Sequence, residues 1–473
     1  MKDHTRISEI RADLESGVVT CAELVEGYLD RIDAQPELNA FLEVWADEAR
    51  EQARRVDSKV KSGQAGRLAG VVIALKDVLA YEGHKVSASS KILEGFTSIY
   101  TGTAVQRLLD EDAILIGRTN CDEFAMGASN ENSAYGVVLN AADKSRVPGG
   151  SSGGSAVAVQ AGLCHASLGT DTGGSIRQPA AFTGLVGMKP TYGLVSRWGL
   201  LAYASSFDQI GPITKSVEDN ALILEIMAGP DANDSTVSQR PKPHYEVKSA
   251  DRKFRFGIMQ EAVEHPGLDP FIRDSVYKLA DQLGADGHEV GFFHFPLLDY
   301  MVPAYYILTT AEASSNLSRY SGLMYGYRSP DAHDLESTYI YSRTQGFGQE
   351  VKRRIMLGTF VLSSDYYDAY YKKGQQVRRI IRQKTEEILG QFDAILLPTT
   401  STPAFRLGEK SKDPVAMYLA DLFTVQANLA GNPAISIPWN STPEGLPTGM
   451  QLMCNHFEEQ KLYELAKTLE KYK

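Results

Sequence analysis

Apolar residues recur at two periods along this chain, and each period marks out a kind of element. Leu24, Tyr28 and Ile32 return every four residues behind Thr20 and Glu23, whose spacing closes a capping box, so a helix is expected there. A polar stretch over 57–66 breaks the pattern. The following run, Val71-Val72-Ile73-Ala74-Leu75, is apolar at every position, as a strand buried on both faces would be. Residues 104–113 have helical spacing and lead into a second short strand at 114–117. Ser216 and Asp219 cap a helix carrying Val217, Leu222 and Ile226, which Gly229-Pro230 ends. Strand and helix alternate again at 254–258, 271–283 and 290–293. Later strands are expected at 394–397 and 434–438. A charged amphipathic helix over 457–472 carries Leu462, Leu465 and Leu469 on one side. No internal repeat or heptad array is visible, and the alternation of the two element types predicts an α/β protein.

Composition narrows the picture. The chain has 473 residues, 43% hydrophobic and 23% charged, which excludes a wholly disordered or collagen-like protein. That length fits about three ordinary domains or one large one. A net charge of −11 leaves no broad basic footprint for gripping nucleic acid or an anionic membrane alone, although RNA carried by a partner stays compatible. Cys21, Cys121, Cys164 and Cys454 are scattered and form no CxxC pair, and Met1 to Arg6 are polar and mixed in charge. A reduced, cytoplasmic setting is therefore expected. Residues 147–170 are uncharged over 24 positions, long enough for a membrane span, but six glycines, four serines, Gln160 and His165 make them too polar for lipid. They read as a buried catalytic loop followed by a core helix.

The stretch 149–211 stands apart. It holds 13 glycines and only five charged residues, Asp171, Arg177, Lys189, Arg197 and Asp208, among interleaved Val, Leu, Ile and Phe. Such a composition packs backbone closely against something inside the protein, unlike a flexible linker. Three pieces of text then carry candidate chemistry. Lys76 ends the apolar run before it; a lysine at a strand edge ordinarily snorkels to water, but a buried, unpaired one loses its charge and becomes a base. Residues 149–153 match GxSxG formally, yet 144–148 make a poor strand for a nucleophile elbow. The downstream histidines (165, 244, 265, 288, 294, 333 and 456) lie in ordinary surroundings, which argues against a histidine triad. Thr172-Gly173-Gly174-Ser175 reads either as a turn with Ser175 as a helix cap or as a nest of backbone N–H groups around an oxyanion, with Ser175 as nucleophile.

Taken together, Lys76, Ser151 and Ser175, at spacings of 75 and 24 residues, resemble the Ser-Ser-Lys triad of the amidase signature family. The text Arg146-Val147-Pro148 through Gly154, and from Ser175 to Phe182, is similar over a long stretch. The resemblance extends from about residue 7 to 471. Within the family the chain is most similar to the glutamine-hydrolysing A subunits of tRNA-dependent amidotransferases, through Asp122-Glu123-Phe124-Ala125-Met126-Gly127 and the segments 129–136, 311–320, 351–358 and 427–431. Val78 after Lys76-Asp77, where asparagine is usual, and the text at 439–441 depart from the family pattern.

The resemblance implies a single α/β domain over 1–473 with a mixed central sheet flanked by helices: an N-terminal helical part at 1–66, the signature core at 67–230 and the remainder at 231–473. It implies Ser175 as nucleophile, Ser151 as proton relay and Lys76 as base, with Thr172, Gly173 and Gly174 in the oxyanion hole and Ser152 structural. Arg354 and Asp421 match the positions that pair with the α-carboxylate and α-ammonium of L-glutamine. A free-standing amidase acting on another small amide is the alternative, and an uncharged amide has no use for that zwitterion clamp. The implied partners are a B subunit, which takes the mischarged tRNA with ATP and Mg, and a small C subunit, in a heterotrimer. No cofactor is expected on this chain: the P-loop text GK[ST] is absent, and no Cys/His cluster suggests a metal. No membrane partner is expected either.

Overall fold

Among the described residues (4–249, 252–410 and 417–473), the computed structural model forms one sheet of eleven strands. Met1, Lys2 and Asp3 of the polar N-terminal stretch lie outside the described residues. In chain order the strands are β1 (Phe41–Val44), β2 (Val72–Lys76), β3 (Ile114–Thr119), β4 (Ala166–Asp171), β5 (Val186–Lys189) and β6 (Gln209–Thr214), followed by β7 (Arg255–Met259), β8 (Glu289–Phe293), β9 (Ala394–Pro398), β10 (Ala434–Ser441) and β11 (Pro447–Met453). Across the sheet they run β1-β3-β2-β4-β6-β5-β10-β11-β9-β7-β8. Two parallel groups, β3-β2-β4 and β9-β7-β8, flank an antiparallel middle, so the sheet is mixed. Strands from all three stretches of chain enter this one sheet.

The two-residue alternation of β2 places the site. Ile73 and Leu75 enter the larger hydrophobic core on one face, with residues of the helices Thr103–Asp110 and Val217–Met227. Val72 and Ala74 enter the smaller core on the other face, beneath the helices Cys21–Asp33, Ala46–Lys61 and Gly153–Gln160. Successive side chains of a strand point to opposite faces. Lys76, two residues past Ala74, therefore shares the face of the helix Gly153–Gln160, whose start carries the two serines.

Both expected caps form. The Thr20 hydroxyl accepts the Glu23 N–H at 3.1 Å while the Glu23 carboxylate accepts the Thr20 N–H at 2.8 Å. The Ser216 hydroxyl accepts the Asp219 N–H at 3.1 Å. The Asp219 carboxylate then turns inward to Nε2 of the His165 ring at 3.0 Å, so this histidine is held within the core. One expectation needs correcting: residues 147–170 end in a strand rather than a helix. The helix stops at Gln160, and β4 begins at Ala166, where Ser167 and Leu168 hydrogen-bond between β2 and β6. No helix among the described residues is long and apolar enough to cross a membrane.

Candidate active site

Lys76 ends β2 fully buried, with no carboxylate in hydrogen-bond reach among the described residues. Its Nζ lies 2.7 Å from Ser151 Oγ, 2.9 Å from Ser152 Oγ and 2.8 Å from Thr170 Oγ1. Burial lowers its pKa to about 8 against the opposing pull of Cys121, Asp122, Asp171 and Asp208. The two serines are not equivalent. The Ser152 hydroxyl donates to the Thr170 carbonyl at 3.1 Å and accepts the Thr170 N–H at 3.2 Å, so its proton is committed to β4. Ser151, joined to Gly150 by a cis peptide, has no such backbone partner for its hydroxyl among the described residues. Of the pair, Ser151 is the serine free to give its proton to a neutral Lys76.

Ser175 sits on the turn that carries the chain from β4 into the helix Arg177–Thr183. It is 8% exposed, where Lys76 and Ser151 are at 0%, so of the three it is the one a substrate reaches. The turn is built around a buried ion pair. Arg177 donates through Nε and Nη2 to the two oxygens of Asp171, each at 2.9 Å. The same carboxylate accepts the N–H of Gly174 at 2.9 Å and of Ile176 at 3.2 Å. Burial alone would raise the Asp171 carboxyl, but Arg177, with Lys189 and Asn428, brings it down to about 2. Gly174 adopts φ +135°, and a Cβ there would overlap Thr424 Oγ1, so only glycine fits. The Ser152 N–H donates to the Ser175 carbonyl at 3.2 Å, which ties the Ser175 turn to the Ser151-Ser152 pair.

This turn modifies the expected oxyanion hole. The Gly174 N–H points inward to Asp171 and is not available to a substrate oxygen. The N–H groups of Thr172, Gly173 and Ser175 make no hydrogen bond among the described residues and remain available as donors. The Thr172 hydroxyl, for its part, donates to Asp208 at 2.7 Å.

Arg354 and Asp421 are both buried, and the field of Arg354 acts on the Asp421 carboxyl. Burial nevertheless raises Asp421 to about 8, so it is protonated near neutrality. Arg354 comes from the helix Gln349–Leu362. Its Nε donates to Glu350 at 2.9 Å and its Nη1 to the Tyr203 hydroxyl at 2.8 Å, and the guanidinium lies 5.1–5.7 Å from the ring centres of Tyr203, Tyr306 and Tyr418. The Tyr418 hydroxyl also donates to Glu350, at 3.1 Å. A cavity of about 100 Å³ opens beside the arginine, lined by Gly127, Ser129 and Asn132 together with Glu350, Arg354 and Tyr418. Thr170, Tyr203 and Tyr418 were not legible in the sequence, because no local spacing connects them to the residues they orient; Glu350, four residues before Arg354 on one helix, stands at a spacing that signals such a pair. Tyr305 and Tyr306 lie in register with the site. The Tyr305 ring faces Gly173, and the Tyr306 ring stacks on Tyr418 at 3.9 Å.

The family model described as Amidase matches residues 23–463. A curated relative from Chlorobium luteolum, the A subunit of glutamyl-tRNA(Gln) amidotransferase, is 50% identical over 467 residues, covering 98% of this chain and 96% of the relative. The solved structure of the corresponding A subunit of glutamyl-tRNA(Gln) amidotransferase from Thermotoga maritima matches with a TM-score of 0.79 at 39% identity, covering 95% of this chain and 91% of that one. A peptide amidase from Stenotrophomonas maltophilia matches with a TM-score of 0.81 at 28% identity, covering 99% and 97%. A family model spanning most of the chain, and relatives aligned from end to end, establish that this chain belongs to the amidase family.

Proposed function

We propose that the chain is the glutamine-hydrolysing subunit of a tRNA-dependent amidotransferase, supplying ammonia for converting Glu-tRNA(Gln) to Gln-tRNA(Gln), and Asp-tRNA(Asn) to Asn-tRNA(Asn) where that substrate is presented. The observation that carries this reading is the 50% identity to an amidotransferase A subunit over nearly the whole of both chains. The buried Arg354 beside the pocket, with the buried Asp421 carboxyl under its field, supports it, since such a pair suits the zwitterionic end of an amino acid.

In this reading Ser175 Oγ attacks the side-chain amide carbon of glutamine and forms a C–O bond. Its proton passes to Ser151 as Ser151 passes its own to neutral Lys76. Serine at its ordinary pKa is a poor nucleophile and needs such a base. The N–H groups of Thr172, Gly173 and Ser175 receive the oxyanion, each such donor being worth about 10²–10³ in rate. The proton returns through Ser151 to the departing nitrogen, the C–N bond breaks and ammonia leaves. Water, deprotonated by the same relay, then attacks the glutamyl ester and releases glutamate and free Ser175.

The chain works beside a B subunit, which holds the mischarged tRNA with ATP and Mg, and a small C subunit, in the cytoplasm. The net charge of −11 and four unpaired buried cysteines suit that assignment. The test is ammonia release from L-glutamine by the purified complex. Wild type is expected to release ammonia, faster with charged tRNA and ATP, and Ser175→Ala is expected to abolish release. An intact glutamine pool alongside Ser175-dependent cleavage of a neutral amide would overturn the reading in favour of a free-standing amidase.

A further inference from the structure

Asp122 and Glu123 are adjacent acidic side chains, both buried, that the proposed chemistry does not use. They face opposite parts of the site. The Asp122 N–H donates to the Ser151 carbonyl at 3.1 Å, and its carboxylate accepts the N–H groups of Asn130 at 2.9 Å and Asn132 at 3.0 Å. It therefore holds both the relay serine and the 127–132 wall of the cavity. Glu123 reaches the other way. Its two oxygens accept the Gly348 N–H at 3.1 and 2.9 Å, and the Ser90 hydroxyl donates to it as well. Gly348 is the N-cap of the helix that carries Glu350 and Arg354, which line the same cavity. A Cβ on Gly348 would overlap Glu123 Oε2, so backbone and carboxylate meet with no space between them.

We infer that Asp122-Glu123 is a two-headed brace that sets the distance between the Ser151 relay, beside which Ser175 cleaves the amide, and Arg354, where the α-carboxylate is held, and so acts as the length gauge that selects glutamine over asparagine. The inference rests on the glutamine reading above. Glutamine and asparagine carry the same zwitterion and the same amide and differ by one methylene between them. Arg354 and the serines recognise groups that both substrates possess. The spacing between those groups is the remaining discriminator, and Glu123 with Gly348 is a contact that links the loop beside Ser151 directly to the helix of Arg354. Glu123 is a positioning residue: it fixes where Arg354 stands and does not touch substrate.

The experiment uses the full-length chain assembled with its partner subunits and measures kcat and KM for glutamine and for asparagine. Glu123→Ala is expected to raise the glutamine KM about tenfold, the loss typical of a hydrogen bond to a charged group. kcat is expected to stay within about twofold, and the glutamine-to-asparagine ratio of kcat/KM to fall. Glu123→Gln keeps a carbonyl acceptor of the same length and is expected to restore most of the wild-type KM. Gly348→Ala breaks the same contact from the other side and is expected to match Glu123→Ala. The double variant is then no worse than either single one, because both remove one interaction.

Unchanged KM and unchanged discrimination in Glu123→Ala would overturn the inference. So would equal proportional losses on both substrates that Glu123→Gln fails to rescue, the pattern of general structural damage. If Glu123→Ala does not fold, Gly348→Ala and Glu123→Gln carry the same comparison. A wild-type complex inert toward glutamine would instead be a failure of the functional reading, and the gauge would fall with it.

Discussion

At the scale of single residues, the three hydrogen-bonding neighbours of Lys76 among the described residues are all hydroxyls. A buried ammonium with no carboxylate in contact has little to hold its proton, and burial brings Lys76 down to about 8. The base is the neutral form, so the rate of glutamine cleavage is expected to climb with pH, approach a slope of one below about pH 8 and level off above it. Lys76→Met should cost at least the 10²–10⁴-fold typical of general-base catalysis and remove that inflection, in a pH–rate profile of kcat. Asp421 makes a second prediction with a definite sign. Burial holds its carboxyl near 8 in the empty site, and an α-ammonium beside it stabilises the anion and lowers that value. Glutamine binding at pH 7 is therefore expected to release up to about one proton. Calorimetric titration of Ser175→Ala in buffers of different ionisation enthalpy reads this directly, and proton uptake on binding would contradict the role given to Asp421.

At the scale of the element, the turn 171–177 shows how a nucleophile is presented by a short irregular segment. Regular structure brings Asp171 to the end of β4, and the carboxylate then organises the next six residues through Gly174, Ile176 and Arg177. Arg177 continues outward to the Thr424 carbonyl at 2.9 Å and to Asn428 at 2.7 Å, which joins the turn to the segment behind Asp421. Removing one partner of a buried pair leaves a charge without compensation, so Arg177→Ala is expected to lose about 3–5 kcal/mol in denaturant unfolding. Asp171→Ala/Arg177→Ala, with neither charge left, should recover part of that loss.

Legibility in the sequence follows the same physics. The run 71–75 reads as a strand because every residue in it is apolar, and it stops one residue short of the strand's actual end at Lys76. Strands β4, β5 and β6 are just as buried, but their glycines, serines and threonines carry no hydrophobic period, so sequence pattern alone passes over them. Among the site residues, Ser175 and Lys76 stand in text with a chemical signature. Tyr203 and Asp208 act through contacts across 151 and 36 positions, which no spacing rule reaches, whereas Glu350 stands at the i,i+4 spacing from Arg354 on one helix.

At the scale of the molecule, the reacting groups gather where the sheet is parallel. β2 and β4 run side by side, and Lys76, Thr170 and the Ser175 turn all lie at or just beyond their carboxyl ends. In α/β sheets this is where connecting loops diverge and leave room for a ligand. The antiparallel middle brings in the later part of the chain, so that Arg177 donates to the side chain of Gln451 on β11 and Arg354 and Asp421 arrive from 349–362 and 419–421. One continuous sheet, with the helices and turns joined to it, thus carries both the cleavage chemistry and the residues assigned to substrate recognition.

The central claim is that Ser175 becomes glutamylated through the Ser151–Lys76 relay. The most direct measurement is mass spectrometry of the acid-quenched complex after mixing with L-glutamine, in wild type, Ser151→Ala and Ser175→Ala. The account predicts a glutamyl ester on the peptide containing Ser175 in wild type, formed far more slowly in Ser151→Ala and absent in Ser175→Ala. Ammonia release at the wild-type rate with the adduct on another residue, or unslowed ester formation in Ser151→Ala, would contradict it.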